Sequence, residues 1–182
     1  MNSIKLEHWQ SNQSEKLPDF IIGGAMKSGT TSLHAILNQH PDIYIPKGEI
    51  HFFDIDSLSA HSDFLFHDKT TGKWQFQFMN DDPKKMWDWY YSKFEEGNDK
   101  IKGEDSSTYL SSKIAAERIA LQKKDIKLIF LLRQPTERAY SQYYHMLKSG
   151  RATFNFEDTI KYNPMSILER SLYKNQLEVF YK

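Results

Sequence analysis

The chain contains no cysteine, which excludes disulfides, thiolate catalysis and cysteine-based zinc sites and leaves a scaffold that must stand on packing. It has no run of about 18 apolar residues that could form a membrane helix, and residues 1–18 are polar, without an apolar stretch of the signal-peptide kind. A soluble, cytoplasmic protein without membrane insertion is the expectation. Charge excess is missing too. Lysine plus arginine equals aspartate plus glutamate at 24 each, so no global field favours nucleic acid or an anionic membrane, and an anion site must be built locally.

What is present is enough for a core. The 182 residues are 39% hydrophobic, which suits one compact domain and is short for two. Residues 1–17 lack periodicity and read as a flexible lead-in to a domain spanning 18–182. Aromatic residues crowd the interval 52–94, among them Trp74, Phe76, Phe78, Trp87, Trp89, Tyr90 and Tyr91. Core filling between sheet and helices is the plain reading, with a cleft wall as the alternative.

Short apolar runs alternate with helical periodicity. Residues 20–23 read as a strand ending in glycine, and Leu33, Ile36 and Leu37 mark a helix over 31–39 that stops at His40-Pro41. Residues 57–82 show no clean period and read as loops. Met86, Trp87, Tyr90 and Tyr91 mark a helix over 83–94, residues 101–104 a short strand, and Ile114, Ala115, Ile119 and Leu121 a further helix. Residues 127–132, Lys-Leu-Ile-Phe-Leu-Leu, are apolar after the first, as expected of a central parallel strand covered on both faces. Helices follow over 135–147 and from about 165 to the end. The pattern predicts an α/β chain with a P-loop-like three-layer architecture, a central parallel sheet flanked by helices.

Three segments carry chemistry. The first is the loop Gly24-Ala-Met-Lys-Ser-Gly-Thr-Thr31 between the first strand and helix. Its backbone N–H groups and the helix N-terminus would converge on one anion, with Lys27, Ser28, Gly29, Thr30, Thr31 and Ser32 around it. A nucleotide P-loop places its lysine after the last glycine, but here Thr30 holds that position and the lysine sits inside the loop at Lys27. That favours an oxyanion over a magnesium-bound triphosphate. The second is Glu49-Ile-His51-Phe-Phe-Asp54, where Glu49 or His51 could serve as a general base. The third follows the strand at 127–132, with Arg133, Glu137, Arg138 and Ser141. Ligands of open parallel sheets bind beyond the carboxyl ends of the strands, which puts both anion clusters on one edge. Arg133, where a kinase would place a magnesium-binding aspartate, points to metal-independent transfer.

In this order the segments closely resemble the sulfotransferases that use 3′-phosphoadenosine-5′-phosphosulfate (PAPS), particularly the heparan-sulfate-type branch and its bacterial relatives, over roughly residues 18–181. The resemblance implies sulfuryl transfer from PAPS to a hydroxyl of a carbohydrate or small metabolite, with 3′-phosphoadenosine-5′-phosphate (PAP) as product and no metal. It implies that Lys27 stabilises the leaving phosphate and that Gly29, Thr30, Thr31 and Ser32 hold the 5′-phosphate. Arg133 and Ser141 would hold the 3′-phosphate, and Glu49, then His51, would be the base. Some relatives carry a lysine where this chain has Asp105. Relatives also continue into another strand and a basic, glycine-containing loop over the nucleotide, so a domain lacking those elements is expected. The rival readings are a P-loop-type small-molecule kinase and a truncated, non-catalytic nucleotide-binding domain.

Overall fold

A computed structural model describes residues 5–57, 66–68, 73–75, 82–97 and 99–181. Phe76 and Phe78 lie outside these. The strands are β1 (Phe20–Gly24), β2 (Ile43–Tyr44), a hairpin of β3 (Phe66–Asp68) and β4 (Lys73–Gln75), then β5 (Ile101–Asp105) and β6 (Lys127–Phe130). β2, β5, β1 and β6 form one sheet in that order, all parallel, while β3 and β4 pair antiparallel by themselves. The helices are α1 (Thr30–Leu37), α2 (Pro83–Ser92), α3 (Lys113–Ala120), α4 (Pro135–Lys148), α5 (Phe156–Tyr162), α6 (Pro164–Ile167) and α7 (Tyr173–Phe180).

Strand alternation divides the interior into layers. Ile21 faces a large core with Phe52, Phe53, Met86, Trp87, Tyr90, Tyr91, Phe94 and Ile119, supplied chiefly by α2, α3 and the turn after β2. Phe20 and Ile22 face the other way, against Leu33 and Leu37 of α1 with Ile45 and Ile129. The predicted three-layer architecture is therefore present. Phe52, Phe53, Trp87, Tyr90, Tyr91 and Phe94 of the aromatic interval are core: Phe52 stacks on Tyr90 at 4.0 Å between centroids, and Trp87 lies 4.8 Å from Phe52. Local chemistry starts the helices where the chain needs them. Asp82 accepts from Lys84 N ahead of Pro83, Ser112 accepts from Ala115 N, and Gln134 accepts from Glu137 N ahead of Pro135.

Several expectations are corrected. Residues 5–17 do not trail loosely. Trp9 and Leu17 are fully buried, the Arg118 guanidinium lies 3.5 Å over the Trp9 ring, and Gln122 Nε2 donates to Trp9 O. A single indole at this spacing has no period to announce it, yet it buries enough apolar surface to dock its segment. β6 is an edge strand of the described sheet, and β1 takes the centre because it pairs with both β5 and β6. The helix expected from 165 onward is broken into α6, a 3-10 turn at Glu169–Ser171, and α7. Buried Arg138 accounts for the break, since its Nη2 draws the carbonyls of Ser166 and Ile167 and its Nε the Ser171 hydroxyl. The β3–β4 hairpin and α5 had no clear sequence signal.

Gly103 is required by close approach. It pairs with Phe20, and a Cβ there would run into the Phe20 ring. Gly103→Ala should destabilise the chain by about 1–3 kcal/mol in urea titrations. Combining it with Phe20→Leu should recover part of that loss, whereas strictly additive effects would show that the ring is not the obstacle.

Candidate active site

The carboxyl edge of the sheet collects the sequence-predicted residues. β1 delivers the chain into the loop, and its end is stitched to the segment leaving β6: Leu131 N donates to Gly24 O at 2.7 Å and Ala25 N to Leu131 O at 2.8 Å. Lys27 and Gly29 then adopt left-handed backbone, φ 65° and 97°. That alternation turns successive N–H groups into a concavity suited to an anion. Gly29 precedes the first turn of α1, where Thr30 is buried and Thr31 and Ser32 are exposed. The Ser28 hydroxyl is buried without a protein partner, a polar atom left for a ligand to satisfy. Lys27 is half-buried, and burial lowers its pKa. Glu49 opposes that shift, while Arg151 and Lys148 add to it. Lys27 thus shares one electrostatic neighbourhood with the candidate base and with two cations at the far end of α4.

Glu49 is held on both sides. Its Oε2 lies 3.0 Å from His51 Nε2, and its Oε1 accepts from Ser107 N at 3.2 Å. Burial pushes the Glu49 pKa up, but the bond and charge of His51 and the bonds of Ser107 override it and hold the pKa at about 2. His51 is 3% exposed, with backbone in the left-handed region at φ 54°. Its Nδ1 lies 3.0 Å from Thr108 Oγ1, which donates its single proton to Asp54 Oδ2 at 2.8 Å. Thr108 can therefore only accept from His51, and the Glu49 carboxylate can only accept from the other nitrogen. Both ring nitrogens carry protons, so His51 is an imidazolium in this arrangement. Burial opposes that charge, while Glu49, Asp54 and Glu104 raise the His51 pKa.

Below this pair lies a fully buried carboxylate. Glu104 accepts from Tyr90 OH and Tyr109 OH, each at 2.5 Å, and from Ser106 Oγ at 2.7 Å. Ser106 Oγ in turn accepts from His51 N at 2.8 Å. The next residue, Asp105, ends β5 beside β1, where a nucleotide kinase could use a carboxylate to place magnesium. Here its Oδ2 is 3.2 Å from His34 Nδ1, and burial, with the Glu49 charge behind it, raises its pKa to about 6.

Arg133 and Ser141 are brought together. They line a cavity of about 500 Å³ with Thr136, Glu137, Tyr140 and Tyr144 on one side of α4. In this state Arg133 rests on Glu137, with Nη2 3.1 Å from Oε2, both exposed. Such a surface pair holds weakly, and a phosphate could displace it. The sequence did not single out Glu104, Ser106, Ser107, Thr108, His34, Lys148 or Arg151. Glu104, Ser106, Ser107 and Thr108 flank Asp105, the position of that stretch noted above, and nothing local announced the other three.

A lysine-bearing loop shaped for an anion and a clamped glutamate thus lie at the carboxyl edge of a parallel sheet. Residues 18–179 match the sulfotransferase family, and the chain belongs to it. The membrane-associated sulfotransferase kil1 of Dictyostelium discoideum is 32% identical over 79% of this chain and 27% of its own length. Heparan sulfate glucosamine 3-O-sulfotransferase 5 of Mus musculus is 30% identical over 86% of this chain and 40% of its own. The chain thus spans less than half of these relatives. A crystal structure of a sulfotransferase from Alicyclobacillus acidocaldarius superposes with a TM-score of 0.66 at 31% identity, covering 90% of this chain and 68% of that one. Among the described residues no helix is long and apolar enough to cross a membrane.

The Glu49–His51 pair fixes a pH signature. Glu49, with its pKa depressed, stabilises the fold fully above its ordinary 4.5 and loses that contribution as pH falls toward about 2. His51, with its pKa raised, contributes fully below its ordinary 6.5 and loses that contribution as pH climbs through the raised value. The Tm gap between the unaltered chain and His51→Gln should be widest between pH 4.5 and 6.5 and shrink on the alkaline side. A gap independent of pH would show that the imidazolium is absent.

Proposed function

We propose that the chain transfers a sulfuryl group from PAPS to a hydroxyl of a carbohydrate or other small hydroxylated metabolite. The observation that carries the reading is the placement of Glu49, clamped by His51 and Ser107, within electrostatic reach of Lys27 at the mouth of the anion loop. The protein groups fit the donor. Left-handed turns at Lys27 and Gly29 and the unpartnered Ser28 hydroxyl suit the 5′-phosphosulfate, and the Arg133–Ser141 cavity suits the 3′-phosphate. Relatives named for heparan sulfate support a carbohydrate acceptor.

In the transfer the acceptor oxygen forms a bond to sulfur while the bond from sulfur to the 5′-phosphate oxygen breaks, its electron pair leaving with PAP. Glu49 takes the hydroxyl proton. A carboxylate with so low a pKa is a weak base toward an alcohol, but the proton becomes strongly acidic as its oxygen bonds to sulfur, and late transfer suffices. His51, with both nitrogens protonated, orients Glu49 rather than acting as the base. Lys27 and the loop amides stabilise the charge developing on the departing phosphate.

Lys27→Ala should lower kcat by about 100- to 1,000-fold with little change in Tm, since Lys27 belongs to none of the core clusters among the described residues. Arg133→Ala should weaken PAP about tenfold or more in calorimetry without magnesium. Normal turnover in the first variant, or tighter binding of ATP with magnesium than of PAP, would sink the proposal.

A further inference from the structure

A cleft of about 650 Å³ opens between the end of the turn after β2, the start of α3, and the α6–α7 segment. That volume is in the range of small-ligand sites. Every chain that lines it leaves the carboxyl end of a sheet strand: Ser57 after β2, Ser111 to Ile114 after β5, and Met165 to Gln176 after β6. Two contacts join its walls to the reacting groups. Ser111 Oγ donates to the carbonyl of Thr108, whose side chain holds His51, and Arg170 Nη1 meets Met26 Sδ, next to Lys27, at 2.7 Å.

We propose that this cleft is the acceptor site and that it takes a short polyhydroxylated saccharide bearing at most one acidic group. This rests on the sulfotransfer reading above. The lining argues for the class. Ser111, Ser112, Asn175 and Gln176 offer hydroxyl and amide groups to sugar hydroxyls, and Ile114, Met165 and Leu172 offer aliphatic surface to ring faces. No aromatic side chain lines it among the described residues, and the recognition proposed uses hydroxyl, amide and aliphatic contacts. Charge capacity is small. Lys113 and Arg170 against Glu169 leave one net positive charge among the described lining residues. One net charge can balance one acidic group. A polysulfated chain would meet Glu169 with too few cations to balance it.

The test titrates cellotetraose and a heparin tetrasaccharide separately into the chain saturated with PAP, followed by calorimetry. Cellotetraose should bind at least tenfold more tightly at physiological salt, and Asn175→Trp or Ile114→Glu should weaken it at least tenfold while leaving PAP affinity unchanged. Tighter heparin binding, binding of neither sugar, or cellotetraose binding indifferent to both variants would overturn the assignment. Failure of PAP to bind the unaltered chain would fall on the donor reading instead, and cellotetraose titrated without PAP would then still decide whether the cleft takes a neutral sugar.

Discussion

The active edge of this protein depends on one buried carboxylate. Glu104 is fully enclosed at the end of β5, and a charge in such a place is costly unless every lone pair is used. Tyr90 from α2, Tyr109 from the turn after β5, and Ser106 supply the donors. Satisfying Glu104 therefore fixes three separate pieces of chain against one point. The turn it fixes presents Ser106 to the His51 backbone and Ser107 N to the Glu49 carboxylate. Burial raises the Glu104 pKa, and the phenol and hydroxyl donors pull it back. The aromatic core is thus continuous with the candidate base through a short line of hydrogen bonds.

That continuity separates what could be read in the sequence from what could not. The loop at 24–31, the strand before it and the helix after it were legible because glycine spacing, an apolar run and helical periodicity coincide there. Arg133 and Ser141 stood out as candidates because their segment follows the strong apolar run at 127–132. Glu49 and His51 stood out as a pair but not in their roles, since their division of labour depends on Thr108 and Asp54, which lie far from each other in sequence and meet only in the fold. Glu104 was invisible for a similar reason. A lone glutamate at a strand end reads as solvated until Tyr90 and Tyr109 close over it. Trp9 and Arg118 escaped notice because their stacking spans more than a hundred positions of sequence, and no local pattern encodes such a contact.

The cations around the anion loop are graded rather than uniform. Lys27 is half-buried, while Lys148 and Arg151 reach its neighbourhood from the end of α4 and lower its pKa by repulsion. α4 also carries Ser141 and Tyr144, so a single helix relates the two anion clusters. Its seating is set by Arg138, buried without exposure and bonded to Ser166, Ile167 and Ser171. Burial lowers the Arg138 pKa to about 10, a mark of how fully it has left water.

The backbone of His51 adds a tension of its own. A non-glycine residue in the left-handed region is held against its preference, at a cost on the order of 1 kcal/mol, and here the bonds to Ser106, Thr108 and Glu49 hold it. Glycine or asparagine would relax that strain but would forfeit the imidazole bonds to Thr108 and Glu49 and the stabilisation that they bring. It would also remove the imidazolium that keeps Glu49 charged and aimed. At this position the fold accepts an unfavourable backbone in exchange for side-chain bonds that no freer residue could make.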